Sequence, residues 1–157
     1  MTSKEIKIAY LEYESLEQLG AEDRVLAEEA IKATALSYAP YSKFNVGAAI
    51  MYQDGAMVKG SNQENAAYPS GICAERTALF YASSSRPDTA IKAIAIAAAQ
   101  DGALCAKPVS PCGACRQVMA EYQSKGGRPM KVILVGSEKI WSFEKVDDIL
   151  PFIFDSI

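Results

Sequence analysis

The chain has 157 residues, 50% of them hydrophobic, which suits one domain with a substantial single core. Its net charge is −3 and its pI about 5.1, with the 16 Lys and Arg spread along the chain, which argues against a nucleic-acid backbone as main partner. Histidine is absent, so Ser-His and Cys-His nucleophilic pairs are excluded, and any zinc site must use thiolates or carboxylates.

Residues 1–20 carry only a weak strand-like alternation of Ile6, Ile8 and Tyr10, ended by Gly20, and are read as an N-terminal extension of unknown role. No basic segment followed by an apolar one opens the chain, so no secretion signal is expected. The four cysteines are therefore expected to be reduced thiols of a cytoplasmic protein. A helical pattern runs over 21–38, with Leu26, Ala30 and Ala33 on one side and Glu28, Glu29 and Lys32 on another, and Pro40 stops it. A strand over 46–52, a turn at Asp54-Gly55 and a returning strand over 56–59 read as a hairpin. Residues 62–71 are polar and read as a loop.

A helix is expected over 73–83 and a buried strand over 91–99. That strand is the longest apolar run and is interrupted by Lys92, so no bilayer-spanning segment is expected. A loop to Pro111 precedes a helix over 112–124, which ends before Gly126-Gly127. A buried strand over 130–135, an edge strand over 140–143 and a short helix over 146–150 complete the order. Helices alternating with strands predict an α/β domain over 21–157, with helices covering a mixed sheet. No repeat or interdomain linker interrupts it.

Two short motifs carry chemistry. Cys112 and Cys115 stand three apart at the start of a predicted helix, so their sulfurs can face one point. Cys73 opens another helix, and helix N-termini favour thiolate over thiol. Three thiolates leave the fourth position of a tetrahedral zinc open for water, the arrangement of a catalytic site. Glu75, two residues past Cys73, is near enough to take a proton from that water without touching the metal. A Cys-x-x-Cys alone fits zinc, redox chemistry or neither, and Cys105 is available as a fourth ligand of a structural site. The ligand-x-Glu motif followed by Pro-Cys-x-x-Cys is the signature of zinc nucleobase deaminases, here in an all-cysteine form.

The resemblance extends over about residues 22–155. Tyr41-Ser42-Lys43-Phe44 with Val46-Gly47-Ala48-Ala49 resembles the opening motif of homotetrameric cytidine deaminases. Asn62-Gln63-Glu64-Asn65-Ala66-Ala67-Tyr68 resembles their ribose-binding segment. Cys73-Ala74-Glu75-Arg76 and Pro111-Cys112-Gly113-Ala114-Cys115-Arg116 resemble their two zinc motifs. Ile149-Leu150-Pro151 with Phe154 resembles the tail motif, although Phe152 and Ile153 stand where the family often has small residues.

The resemblance implies a three-layer α/β/α sandwich on a mixed, roughly five-stranded sheet. It implies one Zn²⁺ per chain, held by Cys73, Cys112 and Cys115, with Arg76 bonded to the thiolates. A zinc-bound hydroxide and the Glu75 proton shuttle would convert cytidine and 2′-deoxycytidine to uridine and 2′-deoxyuridine plus ammonia, a step of pyrimidine salvage. Phe44 would pack on the nucleoside, Asn62 and Glu64 would hold the ribose 3′-hydroxyl, and the Ala74 N–H would meet the pyrimidine carbonyl. Phe154 would reach a neighbouring subunit's pocket in a homotetramer. The partner is a small nucleoside, not a nucleic-acid polymer or a membrane. The rival readings are an aminonucleoside-antibiotic deaminase of the blasticidin type and a non-catalytic structural-zinc module.

Overall fold

The computed structural model describes residues 1–155, so Ser156 and Ile157, the end of the unit expected over 21–157, lie outside the described residues. Strand β1 (Leu11–Tyr13) precedes helix α1 (Ala21–Thr34) and the hairpin of β2 (Phe44–Tyr52) and β3 (Met57–Ser61). Helix α2 (Ala74–Ser85), strands β4 (Ile91–Gln100) and β5 (Ala103–Leu104) and helix α3 (Gly113–Gly126) follow. Strands β6 (Lys131–Val135) and β7 (Ile140–Phe143) close the sequence of elements.

Alternation along the central strands sorts the helices into layers. Ala48, Ile50 and Tyr52 of β2, Ile94 and Ile96 of β4, and Val132 and Leu134 of β6 pack with α2 and α3. Their neighbours Ala49, Met51, Ala93, Ala95, Ala97, Ile133 and Val135 pack with α1. The sheet is therefore covered on both faces, as a three-layer α/β/α sandwich. Leu26 on one face and Leu79 on the other are wholly buried, and each such side chain contributes ~1.5–3 kcal/mol by leaving water.

The sheet is mixed and has seven strands in the order β1-β7-β6-β4-β2-β3, with β5 paired to β4. Only β4 and β6 run parallel, joined through α3, and the other pairs are antiparallel. Strands β1 and β5 are the two beyond the five expected. β5 arises because Asp101 and Gly102 both take positive φ, 52° and 80°, and turn the chain straight back onto β4.

The N-terminal strand forms at Leu11–Tyr13 rather than over the alternating Ile6, Ile8 and Tyr10. Its register is set by side chains: Glu12 accepts from Trp141 Nε1 at 2.8 Å and from Lys139 Nζ at 3.0 Å, and Tyr10 stacks on Phe143 with ring centroids 5.4 Å apart. β7, expected as an edge, is thereby covered by β1. Helix α1 ends at Thr34 rather than at 38 because Tyr38 bridges to Gln63 instead. The helix expected over 146–150 is a single 3₁₀ turn at Val146–Asp148, since Pro151 disfavours helical backbone just before it.

Two glycines let helices lie directly on strands. A Cβ on Gly47 would stand 2.2 Å from the Ala30 carbonyl oxygen of α1. A Cβ on Gly60 would stand 2.5 Å from the Ala78 nitrogen and 2.8 Å from the Ala74 carbonyl oxygen of α2. Neither neighbour is a side chain that can swing away. Gly60→Ala must therefore push α2 off the sheet, and overpacking of this kind costs ~1–3 kcal/mol. Urea unfolding is expected to show that loss, and unaltered stability would mean that α2 shifts freely.

Candidate metal centre

Cys73 and Cys112 are the N-caps of α2 and α3, and neither side chain caps its own helix. Their carbonyls accept the first helical bonds, from Thr77 N and Arg116 N, both at 3.0 Å. The thiols are thus left to point away from the helices. Cys115 sits one turn into α3 and is buried. The three sulfurs lie within 4.8 Å of one another, with Cys112 and Cys115 3.5 Å apart. Among the described residues no fourth Cys or carboxylate ligand atom joins this cluster, and Cys105 stands outside it.

The electrostatics of the trio favour a cation. The Cys73 thiol falls to about 5, chiefly because Cys115 donates to it, with Arg76 adding a hydrogen bond and a positive charge. The Cys115 thiol moves the opposite way, since it is that donor and is also buried beside Glu75. Between these two, the charge is favoured on Cys73 and the proton on Cys115. Three thiolates at this spacing require a positive ion among them. The donor set, three soft sulfurs with no fourth protein ligand, fits a four-coordinate zinc with one open position.

Arg76 lies against the cluster, its guanidinium 3.6 Å from Cys73 Sγ. The guanidinium gains from this contact, since the Cys73 hydrogen bond and the charge of the thiols raise its affinity for the proton. The Glu75 side chain is also buried, 5% exposed, in the first turn of α2. Burial raises its carboxyl above the ordinary value, and the Cys73 charge adds to the rise.

A cavity of about 440 Å³ opens onto the cluster. Cys73, Ala74 and Glu75 form its floor, Phe44, Asn62 and Glu64 line it, and Ile96 and Val109 supply apolar wall. The loop over 62–72 reaches the floor because its ends pair: Gln63 and Ile72 exchange backbone bonds of 2.9 Å in both directions. The segment bearing Asn62 and Glu64 is thereby tied to the residue before Cys73.

The structure therefore brings together nine of the ten residues given a role in the site from sequence, all but Phe154. Phe154 does not line its own chain's cavity; it is 66% exposed. The Asn62 amide is already engaged, accepting from Val46 N at 2.8 Å and donating to Phe44 O at 2.9 Å. Three residues that sequence reasoning gave no role also act here. Ser42 binds Glu64. Arg116 donates to the carbonyls of Pro111 and Ile149, both at 2.8 Å. Gln117 brackets the Phe154 backbone, donating to its carbonyl at 2.8 Å and accepting from its N–H at 3.1 Å. Ser42, two residues before Phe44, had a local signal as a serine turn; the bonds of Arg116 to Ile149 and of Gln117 to Phe154 had none, those partners being distant in sequence.

Residues 21–126 match the family described as the cytidine and deoxycytidylate deaminase zinc-binding region. The chain is similar to a cytidine deaminase of Halalkalibacterium halodurans, 52% identical over 99 residues, which are 62% of this chain and 70% of that one. A cytidine deaminase of Sporosarcina psychrophila is 50% identical over 97 residues, 62% of this chain and 67% of the relative. Among solved structures, the cytidine deaminase from Burkholderia pseudomallei superposes with a TM-score of 0.70 at 38% identity, covering 83% of this chain and 97% of that one.

The geometry predicts opposite outcomes for two serine substitutions. Cys112→Ser is expected to lose zinc, while Cys105→Ser is expected to keep one zinc per chain, as read by elemental analysis of the purified protein. Zinc loss from Cys105→Ser would make the site a closed, four-thiolate one.

Proposed function

The chain belongs to the cytidine and deoxycytidylate deaminase family, and we propose on that premise how its residues divide the work. It is a zinc-dependent hydrolase that converts cytidine to uridine and ammonia. The observation that carries the division of roles is the buried Glu75 carboxyl beside three converging thiols at the floor of a cavity of about 440 Å³.

Cys73, Cys112 and Cys115 would hold the zinc. Bound there, it supplies a Lewis acid that makes water acidic enough to attack near neutral pH. Glu75 takes the proton released by the attacking water and delivers it to ring N3. The carboxylate then takes the proton of the new C4 hydroxyl and passes it to the amino group, so the C4–N bond breaks, ammonia leaves and a C4 carbonyl remains. Ala74 is the first residue of α2, so its N–H has no partner within the helix and can meet the pyrimidine carbonyl. Arg76 withdraws electron density from the sulfurs and offsets their charge. Phe44 packs on the nucleoside, and Asn62 and Glu64 face the 3′-hydroxyl. That contact does not involve the 2′-position, so 2′-deoxycytidine is a substrate on the same reading.

A three-ligand centre beside a cavity and a buried acid does not resemble a closed structural zinc site. A polynucleotide substrate finds no basic groove, since the cations among the cavity's lining residues reduce to Arg76, which faces Cys73. The same reading assigns the enzyme to pyrimidine salvage in the cytoplasm and the catalytic unit to residues 21–157. Residues 1–20 are an extension whose last part joins the sheet as β1.

Assembly enters through the tail. Phe152 and Phe154 are 81% and 66% exposed, while Gln117 pins the Phe154 backbone. A pinned backbone carrying an exposed ring suits presentation to a neighbour, and a homotetramer would use Phe154 of one subunit at the pocket of another.

Two experiments test these roles. Wild-type protein mixed with cytidine is expected to remove the cytosine absorbance, and Glu75→Gln is expected to keep its zinc while losing ~10²–10⁴-fold in turnover; full activity in that variant would remove Glu75 from the mechanism. Deleting residues 152–157 is expected to reduce both tetramer content by light scattering and nucleoside affinity, while zinc stays bound. A fully active monomer would refute the shared pocket.

A further inference from the structure

The Glu64 carboxylate is held in place by one short turn of chain. Its Oε2 accepts the backbone N–H of Tyr41 at 2.9 Å and of Ser42 at 3.2 Å. Its Oε1 accepts the Ser42 hydroxyl. The same hydroxyl oxygen accepts the backbone N–H of Phe44 at 3.1 Å. One side chain therefore connects the two residues read as sugar and base contacts, although they are far apart in sequence.

The turn between them is not self-sustaining. Lys43 has a φ of 57°, a left-handed conformation that non-glycine residues rarely adopt, and its own N–H reaches back to the Ala39 carbonyl at 3.1 Å. Such backbone persists where surrounding bonds over-determine it, and Glu64 supplies three of them. The Ser42 hydrogen bond is also the leading cause holding the Glu64 carboxyl below its ordinary value, so the group stays ionised. A carboxylate offers about four acceptor sites. The turn occupies two on Oε2 and one on Oε1, which leaves Oε1 to receive one further donor.

We propose that Ser42 is a positioning residue of the nucleoside pocket. Its hydroxyl sets the Glu64 carboxylate and the start of β2 at Phe44 in one fixed relation, and presents one face of Oε1 to a sugar hydroxyl. The proposal rests on reading Glu64 and Phe44 as nucleoside contacts. It adds a residue that touches neither the zinc ligands nor the proton shuttle, and whose loss acts on binding rather than on chemistry.

The experiment is steady-state kinetics with cytidine on the zinc-loaded protein. Ser42 is exposed, so its truncation leaves the core intact. Ser42→Ala is expected to raise KM about five- to tenfold with kcat within about twofold, the pattern of lost uniform binding. Zinc content and thermal midpoint are expected to match the wild type. Ser42→Thr keeps the hydroxyl and is expected to recover most of the KM. In a Glu64→Ala background the further Ser42→Ala change is expected to have a smaller effect, because the Glu64 partner is gone and only the Phe44 N–H bond remains to be lost. The proposal is overturned if Ser42→Ala leaves KM unaltered while Glu64→Ala raises it. An equal KM rise in both backgrounds, a threonine as poor as alanine, or a fall in kcat at constant KM would overturn it too. If Glu64→Ala itself leaves KM unaltered, the sugar contact falls first, which separates that failure from one confined to Ser42.

Discussion

Two helices must start at the same place. The site depends on the N-termini of α2 and α3 converging so that Cys73, Cys112 and Cys115 bring their sulfurs within 4.8 Å of one another. Three thiolates repel one another, and a cation together with the partial positive charge of two helix N-termini is what makes the arrangement tolerable. Three thiolates around Zn²⁺ still sum to −1, and the Arg76 guanidinium at 3.6 Å from Cys73 meets that surplus. The convergence explains features far from the metal. α2 and α3 share one face of the sheet, α3 as the crossover that joins the parallel strands β4 and β6. α2 must also lie low over β3, and only a residue without Cβ at position 60 permits it.

The pocket is assembled on the same frame from segments that have no regular structure of their own. The loop over 62–72 is closed by the Gln63–Ile72 pair, so it enters the cluster directly at Cys73. Asn62 extends the hairpin with its side chain, bonding Val46 N and Phe44 O as a neighbouring strand would. Glu64 fastens the turn at Tyr41 and Ser42. Asn62 and Glu64 thus each have a structural partner as well as a place at the cavity. A residue that bonds its own scaffold before substrate arrives loses little side-chain freedom on binding, which is the physical content of a preorganised site.

Legibility in the sequence followed the distance between partners. Burial of the central strand on both faces was readable because the apolar run over 91–99 is local; the structure puts Ile94 and Ile96 on one face and Ala93, Ala95 and Ala97 on the other. The metal centre was readable because each half is a short motif, and the absence of histidine left cysteine as the natural ligand. The β5 return had a local signal in Asp101-Gly102, but its flanks Ala103 and Leu104 are too short a run to declare a strand. β1 was misplaced because its register comes from Glu12 and Tyr10 meeting Trp141 and Phe143, residues almost a chain length away. Gln117 and Arg116 read as ordinary helix residues, and only the fold brings them to Phe154 and Ile149. Phe154 could be named from the tail motif, but its place is decided by Gln117.

That last pair shows how the chemistry and the surface of the protein are joined. Cys115 places its sulfur in the metal cluster, and the next two residues along α3 hold the chain's end. Arg116 also grips Pro111, just before Cys112, so one guanidinium ties the start of the zinc motif to the start of the tail. Helix α3 is anchored in the core through Cys115, Met119 and Ala120. Moving the Phe154 backbone relative to the cavity would have to break the Gln117 bracket or turn α3 itself, and turning α3 would pull Cys112 and Cys115 out of register with Cys73. The geometry of the metal centre and the course of the tail backbone are consequently one constraint, carried by consecutive residues of a single helix.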